Sequence, residues 1–182
     1  MIDRRHGFFN REKETMSKEK REAYQRERLS DILQHGHLHS KAIRSGFEKA
    51  GIKPEEVRDL KDLEKLPVTK KADLVNAQKE VLPFGGFEVI SEAGVRRIYV
   101  SPGPVYEPGE WDYEDIRWAQ ALYACGIRRG DVVLNTFNYH LTPLAFMLDE
   151  SLRMLGATVI PIGPGNLSMQ IQLMRQLHVT GF

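Results

Sequence analysis

The sequence predicts an α/β protein, with a mostly helical N-terminal region at residues 1–94 and a parallel sheet covered by helices at 95–182. Three observations predict this. First, from Val95 onward, short β-branched or apolar runs take turns with segments patterned at helical spacing, in the order β-α-β-α-β-α-β. Second, before that point, apolar residues recur at helical intervals amid mixed charge. Third, Gly-bearing loops follow the strands, at the carboxyl edge where parallel sheets bind ligands.

Residues 1–30 are highly charged with mixed sign. Between Lys18 and Ala50, the positions of Tyr24, Leu29, Ile32, Leu33, Leu38, Ala42, Ile43 and Phe47 predict one or two amphipathic helices. Gly51 is placed to cap them, with Pro54 following. Val57, Leu60, Leu63 and Leu66 predict short helical turns. Leu66-Pro67-Val68-Thr69 breaks the pattern, and Thr69 is the expected N-cap of a short helix through Asp73 and Leu74.

Val95–Val100 alternates as a strand. A helix is expected at Tyr113–Cys125, with Asp112 as N-cap and Gly126 near its end. Asp131–Phe137 reads as a strand, Pro143–Leu155 as a helix ended by Gly156, and Ala157–Ile162 as a strand. A helix at Leu167–Leu177 and the start of a strand at His178–Phe182 complete the order. A parallel sheet stopping there leaves an open edge or an uncovered face. Residues 95–182 are therefore expected to be the truncated start of a longer α/β subdomain.

Composition narrows the function classes. The chain has 182 residues, 41% hydrophobic and 28% charged, enough for a packed core. A net charge of +1 gives no global case for nucleic acid. Cys125 is the single cysteine, which fits a reducing compartment. No apolar run approaches the roughly 18 residues needed to span a bilayer, and the charged start carries no leader pattern. The expectation is a cytoplasmic protein with no membrane and no nucleic-acid partner.

The loop Ser101–Glu110 holds the position of a phosphate site, between a strand and a helix. Its chemistry objects: three prolines, two glutamates and no lysine. Phosphate loops use free backbone N–H groups, hydroxyls and a cation, and proline has no N–H. The segment Phe137-Asn138-Tyr139-His140-Leu141 ends the next strand. Tyr139 is placed to stack on an aromatic ring, and His140 to bind a carboxylate or a Mg²⁺-linked phosphate. The alternative is that Phe137 and Tyr139 are core residues and His140 is a solvated loop histidine. Gly163-Pro164-Gly165-Asn166 is read as a turn into the last helix rather than a ligand loop.

Other features are given structural readings. His35 and His39 share a helical face and are read as a solvated cluster, because no local carboxylate or cysteine completes a metal site. Cys125 and the tryptophans Trp111 and Trp118 are read as packing residues.

Several segments together resemble the phenylacetate–CoA ligase family of the adenylate-forming acyl-CoA synthetases. They include Phe47-Glu48-Lys49-Ala50-Gly51-Ile52-Lys53-Pro54, Leu66-Pro67-Val68-Thr69-Lys70-Lys71-Ala72-Asp73-Leu74, and Gly126-Ile127-Arg128-Arg129-Gly130-Asp131. Leu155-Gly156-Ala157-Thr158-Val159-Ile160-Pro161 and Gly165-Asn166 continue the match. The resemblance implies the N-terminal part of an ATP-dependent aryl- or acyl-CoA ligase that forms an acyl-adenylate. ATP, Mg²⁺ and CoA are then expected for the complete enzyme, and an aromatic or other small carboxylic acid as substrate. A homodimer or a complementing C-terminal chain is a candidate partner, and no ligase activity is expected of these residues alone.

The family's Ser/Thr/Gly-rich phosphate loop aligns with Ser101–Pro108, where Ser101, Gly103 and Pro108 are kept. Ser101, Gly103 and Glu107 are thus the implied cofactor-binding positions, and Glu107 stands where the family has lysine. Two like charges about 4 Å apart cost roughly 1 kcal/mol in water and several times that at lower dielectric; a shared Mg²⁺ would reverse the sign. The implied acyl pocket uses Phe137, Asn138, Tyr139 and His140, with Asn138 and His140 replacing family glycines. Two further readings stay open: a non-catalytic carboxylate-binding or regulatory relative, and an assembly protein with an exposed sheet edge.

Overall fold

A single buried serine joins the first two long helices of the N-terminal region. In this computed structural model, which describes residues 3–89, 94–109 and 116–182, α1 is Arg11–Glu14, α2 is Lys18–His39 and α3 is Lys41–Ala50. Ser40 lies between α2 and α3. Its N–H closes α2 on the Gly36 carbonyl at 2.8 Å, and its Oγ accepts from Ile43 N at 3.3 Å to open α3. The same Oγ donates to the Gly86 carbonyl at 2.8 Å. The helices come close because residue 36 is glycine: a Cβ there would lie 2.9 Å from Ile43 Cδ1. Gly51 ends α3 in the left-handed region at φ 66°, as its position after the apolar repeat predicted.

Short 3₁₀ turns at Pro54–Glu56 and Leu60–Lys65 lead to α4, Lys71–Glu80. The expected N-cap, Thr69, lies one position outside. Lys70 begins the helix instead, its N–H held by the Asp73 carboxylate at 3.0 Å. The helix also runs beyond the expected Leu74.

The chain divides into two compact units, Met16–Trp111 and Met1–Thr15 with Asp112–Phe182. In the first unit, β1 (Arg97–Ser101) pairs antiparallel with β2 (Val105–Gly109). The register runs from Arg97 opposite Gly109 to Ser101 opposite Val105. The strand expected to open the parallel sheet is thus half of a hairpin. The physical reason is in the residues: Pro102-Gly103-Pro104 makes a three-residue reversal with Gly103 at φ 127°, and Val105-Tyr106-Glu107 resumes the alternation.

The second unit carries the parallel α/β order. Its elements are α5 (Ile116–Ala124), β3 (Val132–Leu134), α6 (Leu144–Met154), β4 (Thr158–Ile160) and α7 (Leu167–Gln176). β3 and β4 are parallel, with Val132, Val133 and Leu134 opposite Thr158, Val159 and Ile160. Gly181 forms a parallel bridge to Val133, so the segment expected to begin another strand does reach the sheet. Val133, Leu152 and Ala157 are buried together, with Leu122, Ile127 and Val159 packed on them. The expected Asp112 cap and Trp111 lie outside the described residues.

Cys125 differs from its expected core position: it is exposed. α5 ends at Ala124 and the chain turns at Gly126 (φ 99°), so position 125 leaves the stripe that buries Ala119. Among the described residues no helix is long and apolar enough to cross a membrane.

Residues 3–6 are tied into this second unit. Arg4 donates to Asp131 through both guanidinium ends at 2.6 and 2.7 Å, and to the Gly126 carbonyl at 2.8 Å. Arg128 donates to the carbonyls of Asp3, at 3.1 Å, and His6, at 3.2 Å, and lies 3.6 Å from the centre of the Tyr123 ring. Nothing in the mixed-charge N-terminal sequence singled out Arg4 for this, because a long-range ion pair leaves no periodic trace.

Candidate functional site

The hairpin turn is built by α4 as much as by its own strands. Gln78, 4% exposed, faces Tyr106 and pairs with its backbone in both directions: Nε2 donates to the Tyr106 carbonyl at 2.8 Å, and Tyr106 N donates to Oε1 at 2.9 Å. A side-chain amide thereby imitates a neighbouring strand and satisfies the outer edge of β2. At the other end of the turn, Lys71 Nζ donates to the Pro102 carbonyl. A Cβ on Gly103 would lie 3.0 Å from Lys71 Cε and 3.3 Å from Nζ.

Ser101 and Glu107 meet directly: the Ser101 hydroxyl donates to Glu107 Oε1 across the hairpin. The three predicted phosphate-loop residues, Ser101, Gly103 and Glu107, are therefore neighbours on one short reversal. Their fit to a polyphosphate is limited. Of the turn residues only Gly103 has an N–H, since Pro102 and Pro104 have none. The serine hydroxyl is engaged by a carboxylate, and the nearby positive charge is that of Lys71. Sequence reading missed Lys71 and Gln78 because they lie on α4, far from the loop in sequence, and only the fold brings them to it.

The other predicted residues follow β3 in the second unit. Asn135, 4% exposed, organises them. Its Nδ2 donates to Tyr139 Oη at 2.7 Å and to the Ala145 carbonyl at 3.0 Å, while its Oδ1 accepts from Phe137 N at 3.1 Å. Tyr139 Oη in turn donates to Asp149 Oδ2 at 2.8 Å, and the phenol ring meets Phe146 edge-on at 5.3 Å. Burial, then the Asp149 carboxylate, pushes the Tyr139 phenol above its ordinary range. Tyr139 is half-buried and turned inward, which matches the packing alternative for that residue.

Phe137 has the opposite placement. It is 49% exposed, so the core alternative fails for it. Asn138 bends the loop, its Oδ1 accepting from His140 N at 2.8 Å, and its carbonyl accepts from Thr142 Oγ1 at 2.9 Å. Leu141 follows at φ 64°. His140 is exposed. The loop thus offers an aromatic face from Phe137 and an imidazole from His140, on a backbone fixed by Asn135 and Asn138. Gly163, after β4, donates to the Asn135 carbonyl at 3.1 Å, which joins the two carboxyl-end loops. Asn166 caps α7 through its side chain on Met169 N at 3.3 Å, which agrees with the reading of 163–166 as a turn. Among the described residues, no group of three His, Cys, Asp or Glu side chains could hold a metal ion.

No protein-family profile matches the chain. Curated proteins do. The chain is 32% identical over 178 residues to the phenylacetate-coenzyme A ligase of Thermus thermophilus, covering 94% of this chain and 39% of that protein. It is 34% identical over 172 residues to the Escherichia coli enzyme of the same name, covering 91% and 38%. Among solved structures it resembles 2-hydroxyisobutyryl-CoA ligase in its postadenylation state with 2-HIB-AMP, at a TM-score of 0.77 and 26% identity over 90% of this chain and 35% of that one. The chain spans less than two fifths of the length of these curated relatives. By sequence and by fold the chain corresponds to a part of the phenylacetate-coenzyme A ligases and of a CoA ligase solved with an acyl-adenylate.

Proposed function

We propose that this chain is part of an ATP-dependent acid–CoA ligase acting on an aromatic or other small carboxylic acid. The observation that carries the reading is identity of 32% or more to several phenylacetate-coenzyme A ligases over nearly the whole chain. The relation to a ligase solved with an acyl-adenylate supports ATP as co-substrate, and a solved complex that also contains CoA supports CoA. Phe137 and His140 are the pocket residues the geometry favours. The first offers ring surface, and the second offers a hydrogen bond or charge to a carboxylate. The Ser101–Glu107 hairpin is the proposed phosphate-facing segment. Mg²⁺ near Glu107 would take most of its ligands from phosphate oxygens and water, the usual pattern for this ion.

One observation favours a second reading. The Ser101 hydroxyl is occupied by Glu107, which suits a relative that binds a carboxylate or regulates without using ATP. Calorimetry of the complete protein with ATP, with and without Mg²⁺, separates the two. Under the ligase reading ATP binds, needs Mg²⁺, and loses affinity on Glu107→Gln. Absence of ATP binding in both the parent and Glu107→Gln would move the protein to the second reading. The 182-residue chain alone is expected to release no AMP from ATP, CoA and an arylacetic acid; sustained AMP release would contradict this.

A further inference from the structure

We infer that Lys71 is the cation of the hairpin turn, the residue that would hold polyphosphate oxygens in place of a lysine inside the loop. This rests on the ATP reading above. No Lys or Arg lies between Ser101 and Gly109, and Glu107 brings a negative charge. Lys71 approaches from α4. Its ammonium is fixed by the Pro102 carbonyl, and its stem lies against Gly103. A lysine ammonium has three N–H donors. Pro102 takes one, which leaves two for anionic oxygens beside the turn.

Gly103 is suited to this in two ways. At φ 127° the backbone favours glycine, and any Cβ would press on the Lys71 stem at 3.0 Å. Two described carboxylates, Asp73 and Glu107, are engaged elsewhere. Asp73 accepts from Lys70 N in the first turn of α4, and Glu107 accepts from Ser101. Neither forms an ion pair with Lys71 among the described residues. Lys71 is exposed, so a ligand can reach it.

The test is calorimetry of the full chain with inorganic pyrophosphate and with MgATP. The parent would be compared with Lys71→Met, Lys71→Arg and, as the charge-matched control on the neighbouring exposed lysine, Lys70→Met. Circular dichroism verifies that each variant is folded. Lys71→Met should weaken pyrophosphate binding roughly tenfold, about the effect of one surface charge contact, and should reduce the salt dependence. Lys71→Arg should retain most of the affinity, and Lys70→Met should match the parent. Equal binding by the parent and Lys71→Met, or an equal loss in Lys70→Met, would overturn the role of Lys71 while leaving the ATP reading intact. A parent chain that binds neither pyrophosphate nor MgATP would overturn the role of Lys71 in this chain, while the ATP reading of the complete enzyme stands or falls by the calorimetry of that enzyme.

Discussion

Arg4 and Asp131, 127 positions apart, form a two-pronged ion pair at 2.6 and 2.7 Å. Asp131 is 2% exposed and also accepts from Arg128 N at 2.6 Å and Thr180 Oγ1 at 2.8 Å. The Arg4 hydrogen bonds come first among the causes that hold its carboxyl well below the usual carboxylate range, against the opposing effect of burial.

That depressed value sets a pH dependence. A carboxyl whose folded-state pKa is lowered stabilises above its unfolded value, and that stability is lost as pH falls toward the folded value. The unit containing β3 should therefore weaken below about pH 4, the ordinary aspartate range. Hydrogen exchange at Val132–Leu134 would report this. Asp131→Asn should flatten the acid dependence and cost about 2 kcal/mol at neutral pH, less than a fully buried pair because Arg4 is half-exposed.

Gln78→Ala should release the hairpin from α4. It removes two hydrogen bonds and leaves the Tyr106 edge to water. The expected cost is about 1–3 kcal/mol, with faster amide exchange at Tyr106. Gln78→Asn should behave nearly as poorly, because the shorter side chain cannot span to both backbone groups. Unchanged exchange at Tyr106 in Gln78→Ala would contradict this account.

Tyr139 should be the last tyrosine to ionise. A raised folded-state pKa means its stabilisation is present below the ordinary tyrosine value, about 10, and is lost as pH rises through the folded value. Ultraviolet titration should show a late-ionising phenol among the six tyrosines, absent in Tyr139→Phe. That variant leaves Asp149 without its phenol donor and should cost about 1–3 kcal/mol.

Ser40→Ala should unsettle two helices together. It removes the cap on Ile43 N and the bond to the Gly86 carbonyl inside a closed interior. A loss of about 1–2 kcal/mol is expected, measured by urea denaturation, with Ser40→Thr less damaging than Ser40→Ala.

What was legible in the sequence follows from the range of the interactions. Gly51 ends α3 as read, because a helix C-cap depends on a few neighbouring residues. β3, α6 and β4 were readable because their apolar runs and glycine stops are local too. The hairpin was misplaced because Pro102-Gly103-Pro104 was read as part of a ligand loop, although the alternation resumes at Val105. Lys71, Gln78 and Arg4 act on residues tens to more than a hundred positions away. Such pairings leave no periodicity, and a polar residue on a helix reads the same whether it faces water or a partner. At the β3 loop, the structure divides the named positions: Phe137 and His140 are exposed, while Tyr139 is held by Asn135 and Asp149.

The Arg4–Asp131 pair also bears on how the chain is made. One compact unit is discontinuous, its first residues separated from the rest by the whole of the other unit. During synthesis Arg4 leaves the ribosome long before Asp131 exists. At ~5–20 residues per second the wait is on the order of ten seconds, during which the inserted unit can collect its own contacts. The bond between Arg4 and Asp131 can form only after that interval, so a tag that hinders Arg4 would act on a contact made after the inserted unit has been synthesised.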